Sequence, residues 1–495
     1  MFKRPTKKQL LIRRIFFSTI ATLSVLIILT VTILFLQGFR LDSGNRLSQG
    51  ALLQFDSTPN AANVYVDGKD TVRTAGKQTV VAGVHTILFK KDRYEDWTRT
   101  IDFAAGTLTW LDYARMVPKE RSAETVANFK TVVAAKASPD DKFILLQQAA
   151  EQPEFQMADL RSTDVKLSTL ALPSTLYSEP TTAGVAHNFT LDEWNTGGRY
   201  ILIQHKYNDQ VEWLMVDTEN VAQSVNVTRL LSVGFKDLHF AGSNGRTLFG
   251  LADDNNIRKV DISSATISRA LVSHVDSFDL FDTNTISYVG TDPTNNTKRV
   301  AGVYRDGDEQ PHVLRTVDSL DTVLKIAVGN YFNDNYVAIA EGSKVTILTG
   351  SYQTSSNDDM TDLKQFAVME LPGAVTQLSF SPKSDYILAQ SGSSFMTYEI
   401  EHTRQAAGSI DSAPTAASTP LQWLDVSHLW NRQNGALVMR DFDNANIYSI
   451  NSVAGDFDAT LSQNGRFFYT VGKSDDSFTL QRVKMILDWY SINLI

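Results

Sequence analysis

The chain has 495 residues, no cysteine and a formal net charge of −9 at pH 7. The lack of cysteine excludes disulfides, a thiolate nucleophile, and metal or iron–sulfur sites with cysteine ligands. The negative charge argues against nucleic acid and against an anionic lipid surface as partners.

The first predicted element is a membrane-spanning helix at residues 15–37. The run from Ile15 to Leu36 contains 22 residues without a charge, a proline or a glycine. As a helix it would be about 33 Å long, enough to cross a hydrocarbon core of about 30 Å. A cleaved signal peptide is the alternative, but its apolar region usually has about 7–15 residues and ends in small residues. We therefore expect an uncleaved anchor in the lipid bilayer.

Basic residues set the predicted orientation of this helix. The first 14 residues contain six basic and no acidic side chains: Lys3, Arg4, Lys7, Lys8, Arg13 and Arg14. Basic flanks stay in the cytoplasm, so residues 1–14 are expected to be a cytoplasmic tail and the rest of the chain to lie outside. That remainder carries a net charge of −15, which suits cationic or neutral partners. A long extracytoplasmic chain without cysteine is more typical of bacteria than of animal secretion.

After the helix, a polar segment gives way to strand-like alternation. Residues 38–50 are polar and are predicted to form a linker near the membrane. In residues 51–118, about six short runs of alternating apolar residues predict a small antiparallel β-sandwich without a helix. The turn signals between these runs are Pro59, Asp67-Gly68, Gly83 and Gly106.

This segment resembles a PEGA domain. The resemblance rests on the order and spacing of Ser57, Pro59, Ala61, Val64, Val66, Asp67, Gly68, Ala82, Gly83, His85, Ile87, Tyr94 and Gly106. The turn that names the family departs from its pattern, because Pro59-Asn60-Ala61-Ala62 lacks the Glu and the Gly. PEGA domains are small extracytoplasmic β-sandwiches of surface and envelope proteins. No catalysis is attributed to them, so the resemblance implies a binding or spacing role.

In residues 124–489 a turn followed by an apolar strand recurs eight times. The first residues after the eight turns are Phe143, Tyr200, Thr247, Thr285, Tyr336, Tyr386, Ala436 and Phe467. Most spacings lie near 40–50 residues, which is typical of a β-propeller whose four-stranded blades bury each other's faces. The expected fold class is an all-β ectodomain, a PEGA-like β-sandwich plus a seven- or eight-bladed propeller, behind one transmembrane helix.

Several details of this region have alternatives. Ala436 and Phe467 are only 31 residues apart, so seven blades are the fallback count, and a stacked solenoid is the alternative fold. A strand within residues 125–133 is expected to complete the blade that contains Phe467. Residues 406–419 are predicted to be a mobile excursion between blades, and residues 490–495 a C-terminal tail. The Ser-Pro-Asp and Ser-Pro-Lys turns resemble those of WD40-like and TolB-like propellers, and the whole layout resembles bacterial PEGA-domain membrane proteins.

No motif predicts a catalytic, cofactor-binding or metal-binding residue. The histidines show no zinc-ligand spacing; they are His85, His187, His205, His239, His274, His312, His402 and His428. The run from Asp441 to Asn446 places oxygen atoms at alternate positions, but it lacks the Gly and the distal Glu of an EF-hand, so a solvated turn is the better interpretation. The even spread of aromatic residues favours core packing. The candidates for an exposed ligand surface are Trp194, Trp213, Trp423 and Trp430.

These patterns favour a non-enzymatic, single-pass protein of the cell membrane. The PEGA-like unit would be a stalk, and the propeller would be a platform for an envelope protein or a cell-wall glycan. The alternative is a propeller enzyme that acts on cell-envelope glycan. An enzyme would require acidic or histidine side chains that converge at one mouth of the channel. No cofactor and no nucleic-acid partner are expected.

Overall fold

The structure is a computed structural model that describes residues 6–36, 39–41, 47–181, 184–352, 362–410, 420–474 and 476–487. The chain divides into two compact units, Met1–Glu120 and Arg121–Ile495. The expected C-terminal tail, residues 490–495, lies outside the described residues.

Helix α1 (Lys7–Leu36) contains the predicted membrane span. Its segment Leu11–Phe35 has a mean hydropathy of 2.3 and is not buried by the rest of the chain. The helix accommodates four threonines because each of their hydroxyls donates to the carbonyl four residues earlier, which satisfies these four groups in an apolar surrounding. These threonines are Thr19, Thr22, Thr30 and Thr32. Length and composition thus fit a single-pass membrane protein.

The described residues of the first unit also form two four-stranded sheets. Its strands are β1 (Phe39–Leu41), β2 (Leu47–Thr58), β3 (Asn63–Val66), β4 (Lys69–Arg73), β5 (Gly76–Val81), β6 (Gly83–Lys90), β7 (Trp97–Phe103) and β8 (Leu108–Arg115). One sheet has the order β1-β2-β5, with β8 also paired to β2; the other has the order β4-β3-β6-β7. Residues 51–118 contain no helix, as the alternating pattern predicts.

Strand structure extends into the segment that was expected to be a linker. Residues Phe39–Leu41 pair with Leu47–Gln49 at the start of β2, so residues 38–50 are not wholly a polar connection. Paired strands satisfy the backbone N–H and C=O groups of both segments, a gain that side-chain polarity alone does not reveal. Residues 42–46 lie outside the described residues.

Alternate side chains of the two sheets fill one core. In β2, Leu53 and Phe55 are fully buried while Leu52 is exposed, as expected for a strand with one face inward. Trp97 of β7 is also fully buried. The centroid of its ring lies 5.0 Å from that of Phe89 and 5.6 Å from that of Tyr113. Aromatic packing of this kind stabilises a sandwich too small for a large core.

The second unit is a β-propeller of eight four-stranded sheets among the described residues. Blades 1 to 4 are formed by β10 (Ala134–Ala137), β11 (Phe143–Gln147), β12 (Glu154–Asp159), β13 (Lys166–Ala171); β14 (Asn188–Trp194), β15 (Tyr200–Tyr207), β16 (Gln210–Asp217), β17 (Val225–Asn226); β18 (Phe235–Phe240), β19 (Thr247–Ala252), β20 (Ile257–Asp261), β21 (Thr266–Ile267); β22 (Val275–Phe281), β23 (Thr285–Asp292), β24 (Asn295–Arg305), β25 (His312–Val317). A 3₁₀ turn (Val221–Gln223) and helix α2 (Val227–Leu231) flank β17.

The remaining four blades include the closure of the ring. They contain β26 (Leu324–Tyr331), β27 (Asp334–Glu341), β28 (Lys344–Gly350), β29 (Lys364–Glu370); β30 (Gln377–Phe380), β31 (Tyr386–Ser391), β32 (Ser394–Glu399), β33 (Arg404–Ser409); β34 (Gln422–Trp423), β35 (His428–Gln433), β36 (Ala436–Asp441), β37 (Ile447–Ser452); β38 (Thr460–Leu461), β39 (Phe467–Ser474), β40 (Ser477–Lys484) and β9 (Ala123–Phe129). Strand β9 pairs with β40 and completes blade 8, as expected from the sequence.

Apolar side chains pack between adjacent blades around the ring. Leu145 of blade 1 belongs to the same buried cluster as Ile203 and Leu214 of blade 2. Blade 8 closes the ring against blade 1, because Tyr469 packs in one cluster with Ile144. A single blade cannot bury both of its faces, so the ring supplies the burial that stabilises each sheet.

A side-chain oxygen stabilises the turn between the first two strands in several blades. It accepts a hydrogen bond from the backbone N–H five residues later, at the first residue of the second strand. The pairs are Ser138–Phe143 (2.9 Å), Asn195–Tyr200 (2.9 Å), Ser381–Tyr386 (3.1 Å) and Ser462–Phe467 (3.0 Å). Short polar side chains favour this geometry. The serine and asparagine turns of the sequence repeat therefore have a structural cause.

Two details of the repeat differ from expectation. The seventh turn, Asn431 to Gly435, precedes the third strand of blade 7, whereas its second strand begins at His428. The second strands of blades 6, 7 and 8 therefore begin at Tyr386, His428 and Phe467, which are 42 and 39 residues apart. These spacings replace the irregular spacing of 31 residues expected before the last blade. Within the expected excursion, residues 406–409 belong to β33, and residues 411–419 lie outside the described part of the chain.

Candidate functional site in the propeller channel

The first strand of each blade lies nearest the axis of the ring. Neighbouring blades meet through these strands, as in the contacts of β10 with β14, β14 with β18 and β18 with β22. Innermost strands line the central channel of a propeller, where ligands commonly bind. Ionisable side chains on these strands are therefore the first candidates for function.

Six ionisable residues from blades 1, 2, 3 and 8 lie together on this inner surface. We call them the channel cluster: Lys136 of β10, Asp192 and Glu193 of β14, Asp237 and His239 of β18, and Asp458, two residues before β38. The charges of the other four residues on β10, β14 and β18 all affect the pKa of Asp192. The charge of Lys136 also affects the pKa of Asp458. The cluster therefore joins four blades electrostatically.

Irregular pairing helps to place these side chains. The register of β14 against β15 shifts between Leu191 and Trp194, so Asp192 and Glu193 are the bulged residues. The register of β18 against β19 shifts just before Asp237. Bulges redirect side chains and occur often beside functional sites.

His239 is held between two carboxylates. Its Nδ1 lies 2.7 Å from Oε2 of Glu193, on the neighbouring blade, and its Nε2 lies 3.4 Å from Oδ2 of Asp237. The edge of its ring meets Phe278 of blade 4, with the centroids 4.8 Å apart. Burial lowers the pKa of His239, but the contacts with Asp237 and Glu193 outweigh burial and hold the pKa well above its usual value. This imidazole is a fixed cation that links blades 2 and 3.

Asp192 has the opposite character. Burial raises the pKa of Asp192 to about 6, and the nearby charge of Asp237 acts in the same direction, while Lys136 opposes them. Burial also raises the pKa of Asp458, whose Oδ2 accepts a hydrogen bond from the backbone N–H of Ala137 at 3.2 Å. The channel cluster thus combines carboxyl groups that pair with an imidazole and carboxyl groups whose pKa is raised by burial.

Several histidines that belong to no sequence motif have polar partners in the structure. His187 and His205 meet at 3.0 Å in blade 2, and His428 contacts Asp425 and Asp441 in blade 7. His85 joins two turns of the PEGA-like unit, because its ring contacts Asp67 at 2.6 Å and the carbonyl of Val81 at 2.7 Å. Among the described residues, no three His, Asp or Glu side chains are arranged to hold a metal ion.

The tryptophans singled out from the sequence are mostly in the core. Trp194, Trp213 and Trp430 are buried, and Trp423 is partly exposed while its Nε1 donates to Ser379. Outside helix α1, exposed aromatic residues of the described chain lie elsewhere, at Trp110 of β8 and at Phe332 between β26 and β27. Trp110 shares an outer sheet face with Leu52 and Leu108, which pair in register and are also exposed.

The calcium-like run forms the turn between β36 and β37. Asp441 is fully buried and accepts a hydrogen bond from the side chain of Asn446 at 2.8 Å. The expected solvated turn is therefore a turn, but its first carboxylate faces the blade interior and supports the hairpin rather than a cation.

Two cavities among the described residues are formed mainly by side chains outside the channel cluster, although Phe457 and Ala459 of the first cavity flank Asp458. A cavity of 190 Å³ between blades 7 and 8 is lined by Trp430, Leu437, Phe457 and Val471, with the Arg432–Asp456 ion pair at 2.9 Å. This volume is below the range of about 300–1,000 Å³ that is usual for small-molecule pockets. A cleft of 310 Å³ lies beside α2.

Comparison with known proteins identifies one domain. The PEGA domain model matches residues 51–116, and no curated protein sequence matches the chain. Among solved structures, the β-propeller domain of Myceliophteria thermophila Cps50 (Swd1) aligns with 73% of this chain and 99% of its own, at 8% identity and a TM-score of 0.40. A chain in the structure of the Mitotic Checkpoint Complex aligns with 74% of this chain and with 92% of its own length, at 11% identity and a TM-score of 0.34. The chain carries a PEGA domain and a β-propeller behind an apolar N-terminal helix.

Proposed function

We propose that the chain is a membrane-anchored protein of the bacterial cell envelope, with its propeller outside the cytoplasmic membrane. The PEGA domain is the stalk, and the propeller is a platform that binds a partner without catalysing a reaction. Helix α1 is the anchor, with the basic N-terminal tail in the cytoplasm.

The observation that supports binding over catalysis is that two carboxylates of the channel cluster already pair with a histidine. Glu193 and Asp237 hold one cationic imidazole, and this contact joins two blades. Carboxylates engaged by a cation between two blades are less available to exchange a proton with a substrate or to attack it. Much of the cluster therefore serves to position adjacent blades around the channel.

The charge of the extracytoplasmic part narrows the class of partner. A net charge of −15 outside the membrane favours an envelope protein with a basic surface and disfavours anionic polymers. A neutral cell-wall glycan is the other partner that this charge permits. The two are distinguished by separate binding assays.

The test uses the full chain in detergent, immobilised and exposed separately to envelope proteins and to purified peptidoglycan. We expect retention in one assay, and retention of a basic protein that weakens as salt is added. Asp192→Asn should weaken such retention, whereas Asp279→Asn, at an exposed carboxylate on the innermost strand of blade 4, is the matched control. No retention in either assay, together with turnover of a glycoside panel, would overturn the proposal.

One observation favours an enzyme acting on envelope glycan as a second candidate. Burial raises the pKa of Asp192 to about 6, which suits a general acid, and glycoside hydrolysis uses such an acid together with a second carboxyl group, of which the channel cluster contains several. In that case Asp192→Asn should lower glycoside turnover by about 100-fold or more, and Asp279→Asn should not. Equal activity of both variants would exclude Asp192 as the acid.

A further inference from the structure

A row of four titratable side chains lies in blade 2, outside the channel cluster. Glu179 and His187 belong to the connection between β13 and β14, whereas His205 lies in β15 and Glu212 in β16. We call these four residues the histidine chain. His205 is fully buried and Glu212 is 5% exposed, so the chain runs from the surface into the blade.

Three contacts link the histidine chain end to end. Oε2 of Glu179 lies 3.2 Å from Nε2 of His187. Nδ1 of His187 lies 3.0 Å from Nε2 of His205, and Nδ1 of His205 lies 3.2 Å from Oε2 of Glu212. Each contact is within hydrogen-bond distance, and each needs one proton between its two atoms.

Two neutral imidazoles cannot supply these protons. His205 must donate from Nδ1 to the carboxylate of Glu212, which leaves a lone pair on its Nε2. For the contact with Glu179 to form as well, His187 must donate from Nε2, which leaves a lone pair on its Nδ1. The two lone pairs would then face each other at 3.0 Å, so all three contacts exist together only when the pair holds one additional proton.

We infer that the histidine chain is a binding site for a single additional proton, which fastens the connection between blades 1 and 2 to the body of blade 2. The proton bridges His187 on the connection and His205 on the blade. This inference concerns the propeller itself and goes beyond the proposed function.

The surroundings keep the additional proton on the imidazole pair. Glu212 accepts hydrogen bonds from the backbone N–H and the hydroxyl of Ser178, and Arg229 lies 3.7 Å from it. Burial raises the pKa of Glu212, but the hydrogen bonds from His205 and Ser178 outweigh it and lower the pKa to about 2. This carboxylate therefore stays ionised.

Two phenols and the remaining charged groups complete the environment. Tyr177 meets both imidazole rings edge-on, and Tyr207 stacks on His205 with centroids 5.0 Å apart. Burial, and then the charge of Glu179, raise the pKa of Tyr177, so this phenol does not release a proton in place of the histidines. The groups that face the two rings are thus Tyr177, Tyr207, Glu179 and Glu212, with Arg229 beyond Glu212.

The start of the connection is held to blade 2 independently of the additional proton. The connection contributes Pro173, Thr175 and Leu176 to the 310 Å³ cleft, opposite Asn226 and Arg229 of blade 2. Asn226 donates to the carbonyl of Leu176 at 3.0 Å, and Arg229 donates to that of Thr175 at 2.8 Å. These two bonds do not depend on the additional proton, so deprotonation should loosen the residues near His187 first.

The test measures amide hydrogen exchange in the full chain in detergent, at about pH 5.5 and about pH 8.5, either side of the ordinary histidine pKa of about 6.5. After correction for intrinsic rates, exchange around Gly184–His187 should be at least about fivefold faster at the higher pH. His187→Asn should remove this difference, because an amide N–H can donate to Nε2 of His205 without an additional proton. His312→Asn, at a histidine with one carboxylate contact and no facing imidazole, is the matched control.

Two results would overturn the inference: exchange in the wild-type chain that does not depend on pH, or the same pH dependence in His187→Asn. If His187→Asn does not fold, imidazole ¹⁵N spectra of the wild-type chain decide the question. A coupled titration in which the pair keeps one additional proton supports the site, and two independent titrations refute it.

Discussion

At the scale of single residues, Asp192 is the carboxyl whose environment most clearly predicts a pH dependence. Its folded pKa of about 6 lies above the ordinary value of 3.8, so the folded state binds the proton more tightly than the unfolded state. Its contribution to stability is therefore complete below the unfolded pKa and is lost as the pH rises through about 6.

We predict that Asp192→Asn stabilises the fold at about pH 7.5 by about 1–2 kcal/mol, after allowance for solvent screening, and changes little at about pH 4. Thermal unfolding at both pH values measures this difference. Asp279→Asn should show no such difference between the two conditions. Destabilisation of Asp192→Asn at the higher pH would contradict the assigned environment.

The channel cluster could not be predicted from sequence. His239 and Glu193 are 46 residues apart. The bulge that positions Asp192 and Glu193 depends on how β14 pairs with β15. The available signal was the pair of acidic residues directly before Trp194. Such pairs are common on solvated strands, so the signal becomes informative only once the blades are placed.

A second prediction at this scale concerns the recurrent turn. Ser462→Ala removes the acceptor for the N–H of Phe467, a fully buried contact, and should lower the free energy of unfolding by about 1–3 kcal/mol. Ser477→Ala is the control, because its hydroxyl lies in an exposed hairpin. Urea unfolding measures both variants, and equal midpoints would show that the turn bond contributes nothing.

A third concerns two tryptophans of the PEGA domain. Trp97→Ala should cost about 3–5 kcal/mol, because a fully buried ring is lost. Trp110→Ala, at a ring that is 53% exposed, should change the stability by less than about 0.5 kcal/mol. Similar losses in the two variants would mean that the exposed face of β8 is covered.

At the scale of elements, the pairing of β9 with β40 holds the ring closed. Asn128 and Thr479 are opposite each other in this pairing. Because the chain has no native cysteine, Asn128→Cys with Thr479→Cys should form one disulfide, and oxidation should raise the unfolding temperature. The loop it closes is long, so the gain could reach about 4 kcal/mol. The reduced protein is the matched control, and failure to cross-link would contradict the closure.

The elements were predictable to the extent that their signals are local. Turn residues before the second strands marked seven of the eight blades correctly, and in four of these blades the turn serine or asparagine accepts a hydrogen bond from the N–H five residues later. The predicted second strand of blade 7 was wrong because the first strand, Gln422–Trp423, is short and the later Asn-Gly turn is the stronger turn signal. The pairing of β1 with β2 was missed because residues 38–50 contain few apolar side chains.

At the scale of the whole molecule, the anchor determines which side of the membrane the propeller occupies. We predict that protease added to intact cells removes the propeller and leaves a short membrane-bound fragment, because the basic tail holds the N-terminus inside. A cytoplasmic protein serves as the control for cell integrity. Full protection of the propeller would contradict the proposed orientation.

The closure of the ring also has a consequence for biogenesis. Arg482 of β40 donates a hydrogen bond to Glu124 of β9, 358 residues earlier in the chain. The first strand of the propeller to be synthesised therefore has no pairing partner until the last strand has been made. With the proposed orientation, β9 crosses the membrane early and stays without its partner until nearly the whole chain has been exported. During that interval the nascent propeller is an open arc with two free strand edges, a state prone to aggregation. The speed of export should therefore limit the yield of folded protein more than the stability of any single blade.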